Sequence, residues 1–162
     1  MNTARLALAG ALLASGYALY AKPAPAKRPT APSPQELVTA RQAGMDMAAA
    51  TLIMLRSANN NGAPLKSLAF PASGLAKFAS VAPALFSDNT KGVPSRAKPN
   101  VWTDRAGFEA KAADFAKATK ALAAAAAAED KVAFNAALAS TGMSCKGCHD
   151  TYQVPPPAAK PG

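Results

Sequence analysis

Residues 143–153 read "MSCKGCHDTYQ" and hold both cysteines and the single histidine of a 162-residue chain. Four chemistries compete for that stretch. A disulfide between Cys145 and Cys148 would close so small a loop that it restricts little of the unfolded chain. A redox Cys-x-x-Cys usually opens a helix beside a βαβ unit, and no strand pattern lies nearby. A closed zinc site takes about four ligands, whereas Cys145, Cys148 and His149 exhaust the Cys and His of the chain. The fourth reading is Cys-x-x-Cys-His, a c-type haem attachment site. Each thiol adds across one vinyl group of the macrocycle, and the adjacent imidazole binds the iron. On a helix these residues stand at i, i+3 and i+4 and share one face, which can lie against one flat ring. The residue types and their spacing favour this fourth chemistry.

The other side of such an iron is constrained by what the chain lacks. With one histidine, two imidazoles from one chain cannot bind it. The sixth position is either open or filled by Met, Lys or an outside ligand. Met45, Met47, Met54 and Met143 follow the N-terminal segment, and Met143 lies too near the cysteines in sequence to reach the opposite face. Met45 shares a helical stripe with Arg41, one turn away. Each of the two admits two readings. Met45 is a distal iron ligand or a core filler. Arg41 is a partner for a haem propionate or a surface charge with a buried stem. With the sole histidine committed, no nucleophile–base set remains, and no enzymatic activity is expected.

Composition and the N-terminus set the compartment. "MNTARLALAGALLASGYALYA" has one arginine and then an apolar run over 6–21 with small residues near its end. It reads as a secretory signal peptide over 1–21, with an uncleaved inner-membrane anchor as the alternative, although the run is short for a full span. A Pro-rich linker over 22–34 follows, extended and semi-rigid. Export places the protein in the periplasm, where c-type attachment is made in bacteria. The whole chain carries a formal charge of +9; without 1–21 it loses only Arg5 and carries +8, and without Lys22, Lys27 and Arg28 it carries +5. No Lys/Arg run is interleaved with aromatics, so nucleic acid is not an expected partner. A mildly basic surface suits solubility or steering toward acidic redox proteins.

The remainder, 35–154, has the 3.6-residue period of helices. Abundant Ala and few aromatics favour an all-α fold. A first helix is predicted from 33–35, with Ser33 as N-cap, Pro34 at N1, and Leu37, Arg41, Met45, Ala48, Leu52 and Leu55 on one stripe. A second is predicted over 71–86, with Leu75, Phe78, Ala79, Ala82 and Phe86 inward and Pro83 kinking or ending it. A long loop over 87–102 follows; loops of that length are often functional. Thr103 or Asp104 caps the third helix, which carries Phe108, Ala112, Phe115, Thr119 and Leu122 and runs to 128. The fourth starts near 129–130 and carries Phe134, Ala137, Leu138 and the Cys-x-x-Cys-His motif until Pro155–Pro157 stop it, leaving a disordered tail over 155–162. Short joins make this an antiparallel four-helix bundle. Its Ala-rich core gains apolar contact if a haem lies between the helices.

Four stretches then carry a resemblance. "ARQAGM", "APALF" followed by "NT", "KPNVWTDRAGFEAKAADF" and "SCKGCHDTY" resemble the class II cytochromes c, the cytochrome c′ family, over roughly 35–153. The resemblance implies a four-helix bundle with one covalent haem c near one end, Cys145 and Cys148 as thioether attachments, and His149 as proximal iron ligand. It places Arg41 and Gln42 at the haem edge and Met45 over the distal face, and brings Thr90 to the haem. Members with Met as the distal ligand are low-spin electron carriers; members with a non-ligating side chain there are five-coordinate and high-spin. The leading expectation is a periplasmic monohaem cytochrome that carries single electrons to periplasmic or membrane redox proteins, with His149 proximal and Met45 distal. The alternative is a five-coordinate protein that binds nitric oxide or carbon monoxide. Members often dimerise through their first two helices, so a homodimer is a further expectation. Many carry a basic residue where this chain has Gln153, so that proximal charge is not carried over.

Overall fold

A computed structural model describes residues 31–156. The expected signal segment or anchor over 1–21, most of the linker over 22–34 and the end of the tail over 155–162 lie outside the described residues. Helix α1 spans Pro34–Asn60 and starts on the predicted cap. Ser33 Oγ accepts from the Glu36 N–H at 3.2 Å, and Glu36 Oε2 accepts from the Ser33 N–H at 2.7 Å. This capping box satisfies two end donors reciprocally, and the same hydrogen bonds hold the Glu36 carboxyl below its ordinary pKa. Val38, rather than the expected Leu37, is fully buried at the start of the stripe, followed by Arg41 and Leu55.

Helix α2 spans Leu65–Val81, so Pro71 sits inside it rather than at its start. An interior proline costs ~3 kcal/mol. The longer helix buries Leu65 and Leu68, and each buried leucine contributes about 1.5–3 kcal/mol, enough to outweigh the proline. Pro83 ends the α-helix as expected, and the chain tightens into a 3-10 turn over Ala82–Phe86. A second 3-10 turn over Asp88–Thr90 and the short helix α3, Asn100–Thr103, divide the segment predicted as one loop. Asp104 caps α4, Arg105–Ala127, and Asp130 caps α5, Lys131–Tyr152; each carboxylate accepts from the N–H three residues on. Helix α5 ends at Tyr152, before the prolines.

The long helices α1, α2, α4 and α5 form the four-helix bundle. Helix α4 packs along both α2 and α5, whereas α1 leans on α2 and the 82–86 turn and meets α5 only sparingly. The core is divided. One cluster gathers Leu55, Leu68, Leu75, Leu122, Phe134 and Leu138. A second gathers Val101, Phe108 and Tyr152, with Phe86, Trp102 and Cys148 against it.

Tyr152 closes the second cluster. Its hydroxyl donates to Asp104 Oδ2 at 2.7 Å, and its ring meets Phe108 edge-on at 5.4 Å between centroids. The bond ties the motif-bearing end of α5 to the cap of α4. Gly107 makes room for it, because a Cβ there would run into the Asp104 carboxylate and the Tyr152 hydroxyl. Gly107→Ala should therefore lower stability by about 1–3 kcal/mol, read by denaturant unfolding of the haem-loaded protein. The hydrogen bond to Asp104, then burial and the Asp104 charge, push the Tyr152 phenol from 10.0 up to about 12. A raised acid contributes stability that is full below its unfolded pKa of about 10 and is lost as pH rises through the folded value. Tyrosine Cζ NMR shifts across alkaline pH should show a resonance titrating near pH 12 that Tyr152→Phe removes.

Candidate functional site

The last turns of α5 present Cys145, Cys148 and His149 together. Both thiols are unpaired and half-buried. Burial pushes both thiol pKa values up; at Cys148 the neighbouring Cys145 adds to this against the pull of Lys111. They also lie near the helix C-terminus, whose partial negative charge disfavours thiolate. A redox-active dithiol has the opposite environment. Among the described residues no group of three His, Cys, Asp or Glu side chains can hold a metal ion by itself, which removes the zinc reading. Burial first, then the charge of Arg96, push the His149 pKa down, with Asp150 opposing. The imidazole stays neutral, the form that binds a metal.

These residues open onto a two-lobed cavity. One lobe, of about 320 Å³, is rimmed by Arg41, Gln42, Asp46, Ser95, Arg96 and Gln153. The other, of about 230 Å³, is walled by Ala48, Leu52, Leu75, Ala79, Phe115 and Cys145. Met45, Phe86, Phe108, Cys148 and His149 border both. The cavity thus touches both core clusters and lies on the side where α1 stands off from α5.

Arg41 is not a surface charge with a buried stem: stem and head are both buried, with 3% of the residue exposed. Its guanidinium donates to the Leu85 carbonyl at 3.3 Å, to Thr90 Oγ1 at 3.1 Å and to Ser95 Oγ at 2.9 Å. It also lies 4.6 Å from the centre of the Phe86 ring. Thr90 is fully buried and passes its own proton to the Ser87 carbonyl at 2.7 Å. Its hydroxyl therefore anchors Arg41, a role that sequence reasoning did not find. Ser95 was missed outright, since a lone serine in a loop carries no periodic signal. Among the described residues Arg41 has no carboxylate partner. A buried cation whose hydrogen bonds all go to neutral oxygens calls for an anion. Haem c, with an apolar ring and two anionic propionates, fits a cavity with one apolar lobe and one lobe bearing that cation. The paired thiols and the neutral imidazole complete the donor set.

Met45 is half-buried and is the one methionine bordering either lobe. Met47, Met54 and Met143 are 71%, 41% and 68% exposed. The geometry thus gathers Arg41, Gln42, Met45, Cys145, Cys148 and His149 around one cavity, whereas Thr90, which the resemblance brings to the haem, borders neither lobe. Arg41→Met should free the 87–99 segment by removing its anchor. Trypsin should then cut after Lys91 or Arg96 faster than in the wild type. Stability should fall by at least about 1.5–3 kcal/mol, the scale of one charge-assisted hydrogen bond.

The family described as Cytochrome C′ matches residues 36–153. The cytochrome c′ of Rubrivivax gelatinosus is 48% identical over 63 residues, 39% of this chain and 49% of that protein. That of Pararhodospirillum photometricum is 44% identical over 72 residues, 44% of this chain and 58% of that protein. The chain thus spans about half the length of the curated relatives it matches. Solved structures align further. The R. gelatinosus cytochrome c′ gives a TM-score of 0.70 at 31% identity over 77% of this chain and 100% of that one. A ferrous variant of the Alcaligenes xylosoxidans protein with bound NO gives 0.71 at 28% identity over 78% and 100%.

Proposed function

The chain belongs to the cytochrome c′ family, which binds one covalent haem c, and from that premise we propose that it is a gas-binding member, taking nitric oxide or carbon monoxide on the side of the ring opposite His149. Haem c bound in the two-lobed cavity would supply an iron that can take the gas. Cys145 and Cys148 would hold it by thioether bonds, each Sγ–H adding across a vinyl C=C, the sulfur to one carbon and the hydrogen to the other, with no oxidant needed. His149 would bind the iron from α5. Arg41 would pair with a propionate while its other donors stay on Thr90, Ser95 and Leu85, and Gln42 would line the same edge.

The observation that carries this reading is the apolar wall opposite the motif helix. Met45, Ala48 and Leu52 of α1 line the cavity that His149 enters. An apolar wall of this kind excludes water and admits a small uncharged gas. Met45 acts there as a side chain that limits access rather than as an iron ligand. The solved A. xylosoxidans relative with bound NO supports gas binding over the expected Met/His electron carrier. We place the protein in the periplasm, a reading supported by the expected signal peptide over 1–21 and by the cytochrome c′ family match.

Absorption and resonance Raman spectra of the reduced, haem-loaded protein decide between the two readings. The wild type should be high-spin at neutral pH and bind nitric oxide and carbon monoxide. Met45→Leu keeps the volume while removing the sulfur, and should leave the spin state unchanged. Met45→Ala opens a cavity, and should speed carbon monoxide binding. A low-spin wild type that Met45→Leu turns high-spin would return the electron-carrier reading. Replacing Cys145 and Cys148 together by Ala should give protein that loses its haem on a denaturing gel.

A further inference from the structure

Arg96 belongs to none of the stretches that pointed to the site, yet its side chain borders the polar lobe together with His149. Its position is set from both ends. Residues 96–98 lie against 152–154 as an isolated antiparallel bridge, Ala97 opposite Gln153. The Val154 N–H donates to the Arg96 carbonyl at 2.8 Å, and the Lys98 N–H donates to the Tyr152 carbonyl at 2.9 Å. The guanidinium then closes a clamp, with Nε donating to the Val154 carbonyl at 2.9 Å and Nη2 to Gln153 Oε1 at 3.2 Å. Gln153 stands four residues after His149, and its N–H bonds the His149 carbonyl at 3.1 Å. Arg96 is therefore fastened to the turn that carries the proximal imidazole.

The surrounding charges leave Arg96 a distinct role. Lys98 Nζ is spent on the Asp150 and Thr151 carbonyls at the helix end, and Lys146 pairs with Asp150. Arg41, the other cation on the polar lobe, is fastened to Leu85, Thr90 and Ser95. Among the described residues Arg96 has no carboxylate within ion-pair distance, and the one carboxylate rimming the same lobe, Asp46, is not paired with it. A ferric haem carries one more positive charge than a ferrous one, so a fixed cation nearby disfavours the ferric state.

We propose that Arg96 is a positioning residue of the proximal side, clamped to the end of α5 so that its positive charge beside His149 holds the iron toward the ferrous state. Carbon monoxide binds only that state, so the inference rests on the gas-binding reading and names a residue that keeps the site ready for its ligand. The test is the ferric/ferrous midpoint potential of the haem-loaded protein. Arg96→Gln should shift it to more negative values, and Arg96→Lys should keep it near the wild type. Gln153→Glu, which sets a carboxylate against the guanidinium while leaving the arginine in place, should shift it in the same negative direction and carries the test if Arg96→Gln does not accumulate. An unchanged potential in Arg96→Gln or in Gln153→Glu would overturn the proposal. So would an Arg96→Lys shift as large as that of Arg96→Gln, since the clamp geometry and not the charge would then be at work. Gas binding to the reduced wild type is measured separately: its failure would end the functional reading and leave the comparison of potentials standing.

Discussion

A guanidinium withdrawn from water organises the polar end of this molecule. Arg41 is delivered by the inward stripe of α1, and its head is buried among the Leu85 carbonyl, two hydroxyls and the Phe86 ring. Leaving any of its donors unpaired in such a place would cost about 1–3 kcal/mol or more. The segment after α2 is therefore drawn in to supply oxygens, through the two turns that place Leu85 and Thr90. The irregular segment over 91–99 follows the same anchor through Ser95 and reaches the end of α5, where it pairs with residues 152–154. One buried charge thus links α1, the turns after α2 and, through them, the helix that carries the haem motif.

The other half of the design is an interrupted core. Two apolar clusters fill the two ends of the bundle, and the space between them opens beside α1. Ala-rich helices can approach closely, but here α1 stands away from α5, and the cavity takes up the separation. A flat apolar ring with charged substituents at one edge matches both the space and its chemistry. The protein's own contacts bring the motif helix to the rim before any ligand is considered, since Tyr152 is locked to Asp104 and residues 96–98 are bridged to 152–154.

The pairing of Arg41 and Arg96 on one lobe shows how one residue type serves two purposes. Arg41 is buried and fixed by three hydrogen bonds that leave donors free, suited to hold an anion in a fixed place. Arg96 is more exposed and is bound by the carbonyl and amide oxygens at the end of a helix, where positive charge is favoured. Both answer local partial negative charge, and both border the same lobe. The charge of the site is therefore a property of the assembled end of the bundle and not of any one segment.

Much of this protein is legible from local rules. Ser33–Pro34, Asp104 and Asp130 announce three helix starts, because a short polar side chain before an apolar period satisfies free N–H groups wherever it stands. Cys145, Cys148 and His149 suggest a haem site by type and spacing together with the export segment, and the stripe through Arg41 and Met45 follows from 3.6 residues per turn. Tertiary structure decided the rest. Helix α2 extends back through Pro71 because burying Leu65 and Leu68 against α4 outweighs one lost hydrogen bond. Val38 takes the place of Leu37 because the contacts of α1 with its neighbours, not its local period, select the buried face. The stripe singles out Met45, and the fold adds that among the described methionines it alone borders the cavity. The partners of Arg41 lie 44 to 54 residues away and those of Arg96 lie 57 and 58 away. No local period records contacts of that range, since they exist only when packing brings distant oxygens within hydrogen-bonding distance of a charge that cannot remain unpaired.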